Sequence, residues 1–332
     1  DRRTGEPIVP VSEHPVPQGT VAGDFTAPTQ PASALSYAPE QALRERDMWG
    51  GTPFDQLMCR IQFHQLRYDG DFTPPSEQGS LIYPGNVGVF NWPSVAVDPQ
   101  RQLLFGAPNY LAFVSRLVKR EEAQDVRHGG GETGLQPNRG APYMVSLTPF
   151  LSVLGLPCQA PPWGYVTAVD LRSMEKVWQR KNGTSRDSAP LGIPFSVGVP
   201  ALGGPLITAG GLGFLSGTLD YYLRAYDLST GEELWKDRLP AGGQATPISY
   251  VSEKTGKQYV VVMAGGRIVL DGPRDVVLEH LRNASKAAAQ TAAQTAAQTA
   301  AQNSVAVQGG SAPPSPHPNA DGSATATEPS HS

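Results

Sequence analysis

Two aspartates in this 332-residue chain each stand eight residues ahead of a tryptophan, Asp170 before Trp178 and Asp227 before Trp235. Paired carboxylates are a common kit for general acid–base chemistry, and tryptophan faces suit a flat cofactor. The neighbouring residues argue for another use. Asp170 lies in Ala168-Val169-Asp170 and Asp227 in Ala225-Tyr226-Asp227, so both belong to one pattern, Ala-x-Asp, a turn, then Trp. An aspartate heading such a turn bonds nearby backbone N–H groups, and Gly231 in the second copy is free to take positive φ. A Trp at a repeated spacing reads as a residue that packs one unit onto the next. Asp170 and Asp227 are therefore assigned to turn capping and Trp178 and Trp235 to docking, while Trp163 stays ambiguous.

The other reactive side chains say less. His64 lies between Phe63 and Gln65, where a single histidine reads as packed or solvated. His128, His280, His317 and His331 fall in loop or tail. Cys59 and Cys158 lack metal-site spacing and are too few for a disulfide scaffold; one bridge and two buried thiols both remain open. The glycines of Leu202-Gly203-Gly204 and Gly242-Gly243-Gln244 would let a flat cofactor approach a blade edge, but on the residues alone they read as glycines that simply turn corners.

The elements that position these residues read as short strands. Glycine and proline number 36 and 32, a share that favours tight turns over long helices. The two full copies of the Asp-to-Trp pattern lie 57 residues apart, and Asp1-Arg2-Arg3-Thr4-Gly5-Glu6 repeats its turn with Val9 in place of Trp. Around the second copy we expect strands at Pro205–Ala209, Gly213–Ser216, Tyr221–Asp227, Glu233–Leu239, Pro247–Val251 and Gln258–Ala264. Such spacing fits the four-stranded blades of a β-propeller, each of which needs neighbours to bury both faces; a β-sandwich would leave the repeated spacing unexplained.

Gln18–Arg46 and Glu121–Pro142 read as long loops. After Gly266 the composition changes. Arg267–Arg282 has helix-like spacing at Val276, Val277, Leu278 and Leu281, Ala287–Gln302 repeats Ala-Ala-Gln-Thr, and Asn303–Ser332 is expected to be disordered. The domain reading is thus 1–266 as partial propeller, 267–286 as an appended helix-like segment, and 287–332 as low-complexity tail. The formal net charge of −4 without a basic block speaks against a nucleic-acid partner. No run approaches the roughly 18–20 apolar residues of a membrane helix, so the segment reads as soluble, and its opening on Asp1 reads as a fragment.

From Asp47 the residues resemble the membrane-bound quinoprotein glucose dehydrogenases, which depend on pyrroloquinoline quinone (PQQ). The likeness runs through Met48-Trp49-Gly50-Gly51-Thr52-Pro53-Phe54-Asp55-Gln56-Leu57, Cys59-Arg60, Phe72-Thr73-Pro74-Pro75, Tyr83-Pro84-Gly85-Asn86 and Phe90-Asn91-Trp92. It continues through Pro157-Cys158, Pro162-Trp163-Gly164-Tyr165, Gly203-Gly204-Pro205, Gly217-Thr218-Leu219-Asp220 and Leu239–Pro247. A short stretch, Gly266–Asp275 with Val277-Leu278, resembles instead the last strand and helix of an ABC-transporter ATPase and carries no Walker motif.

The first resemblance implies an eight-bladed propeller with PQQ and a divalent cation, Ca or Mg, near its axis. It also implies glucose as substrate, ubiquinone as electron acceptor, and a place on the periplasmic side of the bacterial inner membrane. Quinate or another polyol is the alternative substrate, and a non-catalytic propeller remnant the alternative class. The family base, the lysine on the cofactor and the main metal ligands match positions upstream of Asp1, so no catalytic or metal residue is assigned within the chain and the missing half of the propeller is an implied partner. Leu202, Gly203, Gly204, Gly266 and Ala107 are the implied cofactor neighbours, Ala107 standing where some members carry Asn. Arg267 follows Gly266 where the family has His-Gly, which implies that the closing strand is lost.

Overall fold

A computed structural model describes residues 1–271 apart from 20, 94, 122–132, 190–191 and 266, and gives the backbone alone for 267–271. Chain order runs β1 (Val11–Pro15), β2 (Thr29–Ser33), α1 (Pro53–Gln65), β3 (Ser80–Ile82), β4 (Val95–Asp98), β5 (Leu103–Gly106), β6 (Phe113–Lys119), β7 (Gly134–Gln136) and β8 (Tyr143–Pro149). It continues with β9 (Tyr165–Asp170), β10 (Glu175–Lys181), β11 (Leu206–Ile207), β12 (Leu212–Ser216), β13 (Tyr222–Asp227), β14 (Glu233–Arg238), β15 (Ile248–Val251), β16 (Gln258–Ala264) and β17 (Arg267–Asp271). The strands expected around the second repeat are all present, with ends shifted by a few residues at most.

Three antiparallel sheets stack in succession: β4-β5-β9-β10, then β11-β12-β13-β14, then β15-β16-β17. The middle sheet is buried on both faces because its strands alternate between two apolar partners. Leu215, Tyr226 and Leu228 meet Phe105 and Val166 of the first sheet. On the other side Phe214 and Ala225 meet Val260, and Leu223 meets Val262 and Ala264 of the third. This is the radial logic of a propeller, and the architecture is an all-β partial propeller. Among the described residues the third sheet has one covered face. Ile248, Tyr250 and Met263 on its other side are 61, 46 and 51% exposed, and Tyr250 stacks on its cross-strand partner Tyr259 at 5.4 Å.

A large insertion divides the first blade. β5 and β9 pair directly, yet the chain between them builds most of a separate sheet, β3-β6-β8-β7. Helix α1 packs on that sheet through a core of Met48, Cys59, Leu81, Ala112, Phe150 and Cys158. Its start is encoded locally: Thr52 Oγ1 accepts the Asp55 N–H at 3.1 Å, and Pro53 supplies a preset φ at the first helical position. Cys59 and Cys158 form a disulfide across a sequence separation of 99, resolving the alternatives left open above.

The structure also corrects three expectations. Within the stretches read as loops, Thr29–Ser33 pairs with β1 and Gly134–Gln136 with β8. The helix-like reading from Arg267 does not hold for its first five residues, which form β17 against β16 with Ala264 opposite Arg267. The third sheet therefore does have a strand after Ala264, and a boundary at 266 would fall inside that sheet. The cause is local: only two residues separate the paired positions, Gly265 takes φ +58, and Ile268-Val269-Leu270 is apolar with two β-branched residues. Residues 272–332, with the remaining helix-like stretch and the Ala/Gln/Thr tail, lie outside the described residues. Among the described residues no helix is long and apolar enough to cross a membrane.

Candidate functional site

The repeated turns do what their spacing predicts. Asp227 Oδ1 accepts the N–H groups of Ser229 and Thr230 at 2.8 and 3.0 Å, and Asp170 Oδ1 accepts that of Arg172 at 2.8 Å. Hydrogen bonds from the Arg172 side chain and backbone pull the Asp170 carboxyl down to about 2. It is a capping anion and holds no proton to transfer near neutral pH. Trp178 Nε1 donates to Leu228 O at 2.8 Å, and the indole covers Gly231, where a Cβ would come within 2.5 Å of the ring. Ala168 and Ala225 lie opposite Trp178 and Trp235 in the register, where a small residue leaves room for the indole. Trp235 is 37% exposed. The turn that would receive it, by analogy with Gly231, would follow β17 and lies outside the described residues.

The glycine segments come together at one end of the middle sheet. Because β11 is antiparallel to β12 and β14 to β13, the start of β11, the β12–β13 turn and the end of β14 share that end. Leu202–Gly204 leads into β11 and Gly242–Gln244 follows β14. Thr218, in the turn between them, accepts the Leu202 N–H and donates to Gly243 O, both at 2.8 Å. Ser216 Oγ donates to Ala245 O at 3.2 Å. On the other flank the buried Asn109 amide clamps Ala201, accepting its N–H at 2.9 Å and donating to its carbonyl at 3.2 Å. Ala107 is 5% exposed and packs with Phe105, Ala201 and Leu215. Gly266 lies outside the described residues.

Sequence reasoning missed the polar rim around these loops. Asp220 Oδ2 accepts both the backbone N–H and the hydroxyl of Thr184 at 2.6 Å, while Arg224 Nη1 stands 2.6 Å from Asp220 Oδ1, fully buried. Arg238 donates twice to Asp187, at 2.6 and 2.8 Å, and lies 4.8 Å over the Tyr222 ring. Asp187 Oδ2 also accepts the Tyr221 N–H at 2.9 Å. The Arg238 guanidinium holds the Asp187 carboxyl below the usual carboxylate range. Burial pushes the Tyr226 hydroxyl upward, and it donates to Asn182 at 2.8 Å. These bonds rivet the long β10–β11 connection to the β12–β13 turn. Pairing across 34 to 51 positions leaves no periodic trace; only the abundance of Asp, Arg and Tyr near the turn hinted at it.

The remaining candidates are structural. His64 is exposed and paired with Glu45 at 2.9 Å. Trp163 is buried, donates from Nε1 to Gln159 O at 2.9 Å and meets Trp49 edge-on at 5.8 Å.

Two loops held side by side offer a flat cofactor a surface of backbone and aliphatic groups, with Leu202 and Gly242 half-buried and Gln244 exposed. The space a Cβ would take at Gly203, Gly204 and Gly243 is filled by Ser216, Thr246 with Pro93, and Ser216 respectively, so these glycines first serve the close approach of successive blades. The outer surface of the two loops is left to backbone and aliphatic groups. Among the described residues no group of three or more His, Cys, Asp or Glu is placed to hold a metal ion.

Residues 1–260 match the family described as PQQ glucose/ethanol/alcohol dehydrogenase, β-propeller domain. The quinoprotein glucose dehydrogenase of Escherichia coli is 53% identical over 276 residues, 80% of this chain and 34% of that protein. The one from Gluconobacter oxydans is 55% identical over 284 residues, 80% and 35% of the two chains. The quinate/shikimate dehydrogenase (quinone) of Acinetobacter baylyi is 46% identical over 277 residues, 80% and 34%. Among solved structures, a quinohemoprotein alcohol dehydrogenase from Comamonas testosteroni aligns with a TM-score of 0.40 at 25% identity over 57% of this chain and 24% of that one. The chain spans about a third of the length of the curated relatives it matches. With its propeller sheets, docking tryptophan and family match over most of its length, the chain belongs to the PQQ-dependent glucose/ethanol/alcohol dehydrogenase β-propeller family.

Proposed function

We propose that this chain is the C-terminal part of the propeller of a PQQ-dependent glucose dehydrogenase, an oxidoreductase that converts glucose to gluconolactone and passes electrons to ubiquinone at the periplasmic face of the inner membrane. The observation that carries the sugar is the order of identity: 52–55% to the three glucose dehydrogenases, 46% to two quinate dehydrogenases and 41% to the glycerol dehydrogenase subunits. Bound PQQ supplies the two-electron acceptor for the sugar. In this reading Leu202–Gly204, Gly242–Gln244 and the neighbourhood of Ala107 and Gly266 border the quinone. The bonds of Asp187, Asp220, Arg224 and Arg238 tie the β10–β11 connection, which ends in Leu202–Gly204, to the β12–β13 turn and the end of β14. The base, the cofactor lysine and the ligands of the divalent cation belong to the missing half of the propeller, which also covers the open face of the third sheet.

The test is a graft: residues 1–260 replace the matched segment in the Escherichia coli quinoprotein glucose dehydrogenase, and kcat/KM is measured for glucose and for quinate with PQQ and calcium or magnesium. Preference for glucose supports the reading. Preference for quinate transfers the chain to the polyol branch, and an inert graft that still folds supports a non-catalytic remnant.

A further inference from the structure

We infer that Thr218 is a positioning residue that latches the inner ends of two successive blades, so that Leu202–Gly204 and Gly242–Gln244 present one surface of fixed spacing; the inference rests on the proposed function. Its hydroxyl is used twice, accepting the Leu202 N–H and donating to Gly243 O, each at 2.8 Å. Thr218 as a residue is 8% exposed, so neither bond is easily replaced by water. The two partners belong to segments leading into different sheets, one into β11 and the other into β15. No backbone bond joins Leu202 to Gly243 directly; Gly243 N instead donates to Gly217 O at 2.9 Å, in the same turn as Thr218. The turn thus holds the second loop from two sides and the first loop through the hydroxyl alone.

The glycines make that latch possible. Gly203 and Gly243 both face Ser216, with virtual Cβ positions 2.8 and 2.5 Å from its side chain, so the loops close to a distance that only glycine allows. At that distance a single hydroxyl can span the gap. Asn109 holds Ala201, the residue before Leu202, from the opposite flank, so the first loop is fixed at two consecutive residues by side chains of two different elements. A flat ligand resting on this rim needs both loops at one height, since a planar ring touches both or neither.

Thr218→Val keeps the shape and removes the hydroxyl, whereas Thr218→Ser keeps the hydroxyl. In the 332-residue chain itself, amide exchange at Leu202 should accelerate roughly tenfold in Thr218→Val and stay near the parent rate in Thr218→Ser. In the graft, quinone affinity measured by fluorescence quenching should weaken about tenfold in Thr218→Val and return to within about threefold in Thr218→Ser. Unchanged quinone affinity in Thr218→Val despite faster Leu202 exchange would reduce the latch to a structural bond and overturn the inference alone. Unchanged Leu202 exchange would also overturn it, as would weakened affinity that serine fails to restore. An unsubstituted graft that binds no quinone sinks the proposed function and this inference with it.

Discussion

Asp187 and Arg238 carry the clearest electrostatic consequence at the scale of single residues. The Arg238 side chain is 37% exposed and that of Asp187 11%, so solvent screening trims the pair, and we expect Asp187→Asn to cost about 1–2 kcal/mol at pH 7 in urea unfolding. Because the folded carboxyl is depressed below its ordinary 3.8, its contribution is present above that value and lost as the pH falls through the depressed one. The gap between parent and Asp187→Asn should therefore narrow below about pH 4; a gap independent of pH would mean that the pair contributes by packing alone. Gly231 gives a second test. At φ +72 and against the Trp178 ring, Gly231→Ala combines left-handed strain with a clash and should cost at least about 2 kcal/mol. The capping roles of Asp170 and Asp227 were legible because a turn is local. The Asp187–Arg238 and Asp220–Thr184 bonds were not, because nothing local marks partners that meet only after two blades have stacked.

Elements repeat this contrast between local and distant causes. Strands β11 to β16 were readable since each alternates over a few residues between glycine-marked turns, and the Trp register fell out of the repeat. Helix α1 went unread although Thr52, Pro53 and Asp55 spell a helix start, because the glycine and proline content drew the reading toward strands. The division of the first blade between β5 and β9 was hidden for another reason: strand pairing across an insertion leaves no periodic signal. Docking can be tested by substitution at equivalent positions. Trp178→Ala removes a ring packed between two sheets and should cost about 3 kcal/mol, while Trp235→Ala, with its ring partly in solvent, should cost less than about 1 kcal/mol. Equal losses in thermal or denaturant unfolding would contradict the packing described. Reducing the Cys59–Cys158 bridge frees a loop of roughly 100 residues and should cost about 4 kcal/mol on chain-entropy grounds, read as a lower unfolding midpoint of the parent in reductant than without it; Cys59→Ala should unfold at the reduced midpoint under both conditions, and a parent midpoint indifferent to reductant would contradict this.

On the scale of the whole molecule, the stack of sheets among the described residues ends on an exposed apolar face. Ile248, Tyr250 and Met263 face solvent on the third sheet, and Trp235 waits at the rim of the second. The chain spans about a third of the length of its curated relatives, and the proposed function makes its glycine loops one wall of the site. The architecture was legible in the repeat and the family in the motifs. The candidate site was legible only as glycine segments, because the hydroxyls and amides that hold them act through the backbone of distant loops. Dye-linked oxidation of glucose, measured with PQQ and calcium on the isolated chain beside the graft in the Escherichia coli enzyme, tests the central claim most directly. The account expects turnover by the graft and none by the chain alone, given that a general base is typically worth about 10²–10⁴-fold. Turnover by the isolated chain at a rate near that of the graft would contradict it, because the base and the metal ligands would then have to lie among these residues.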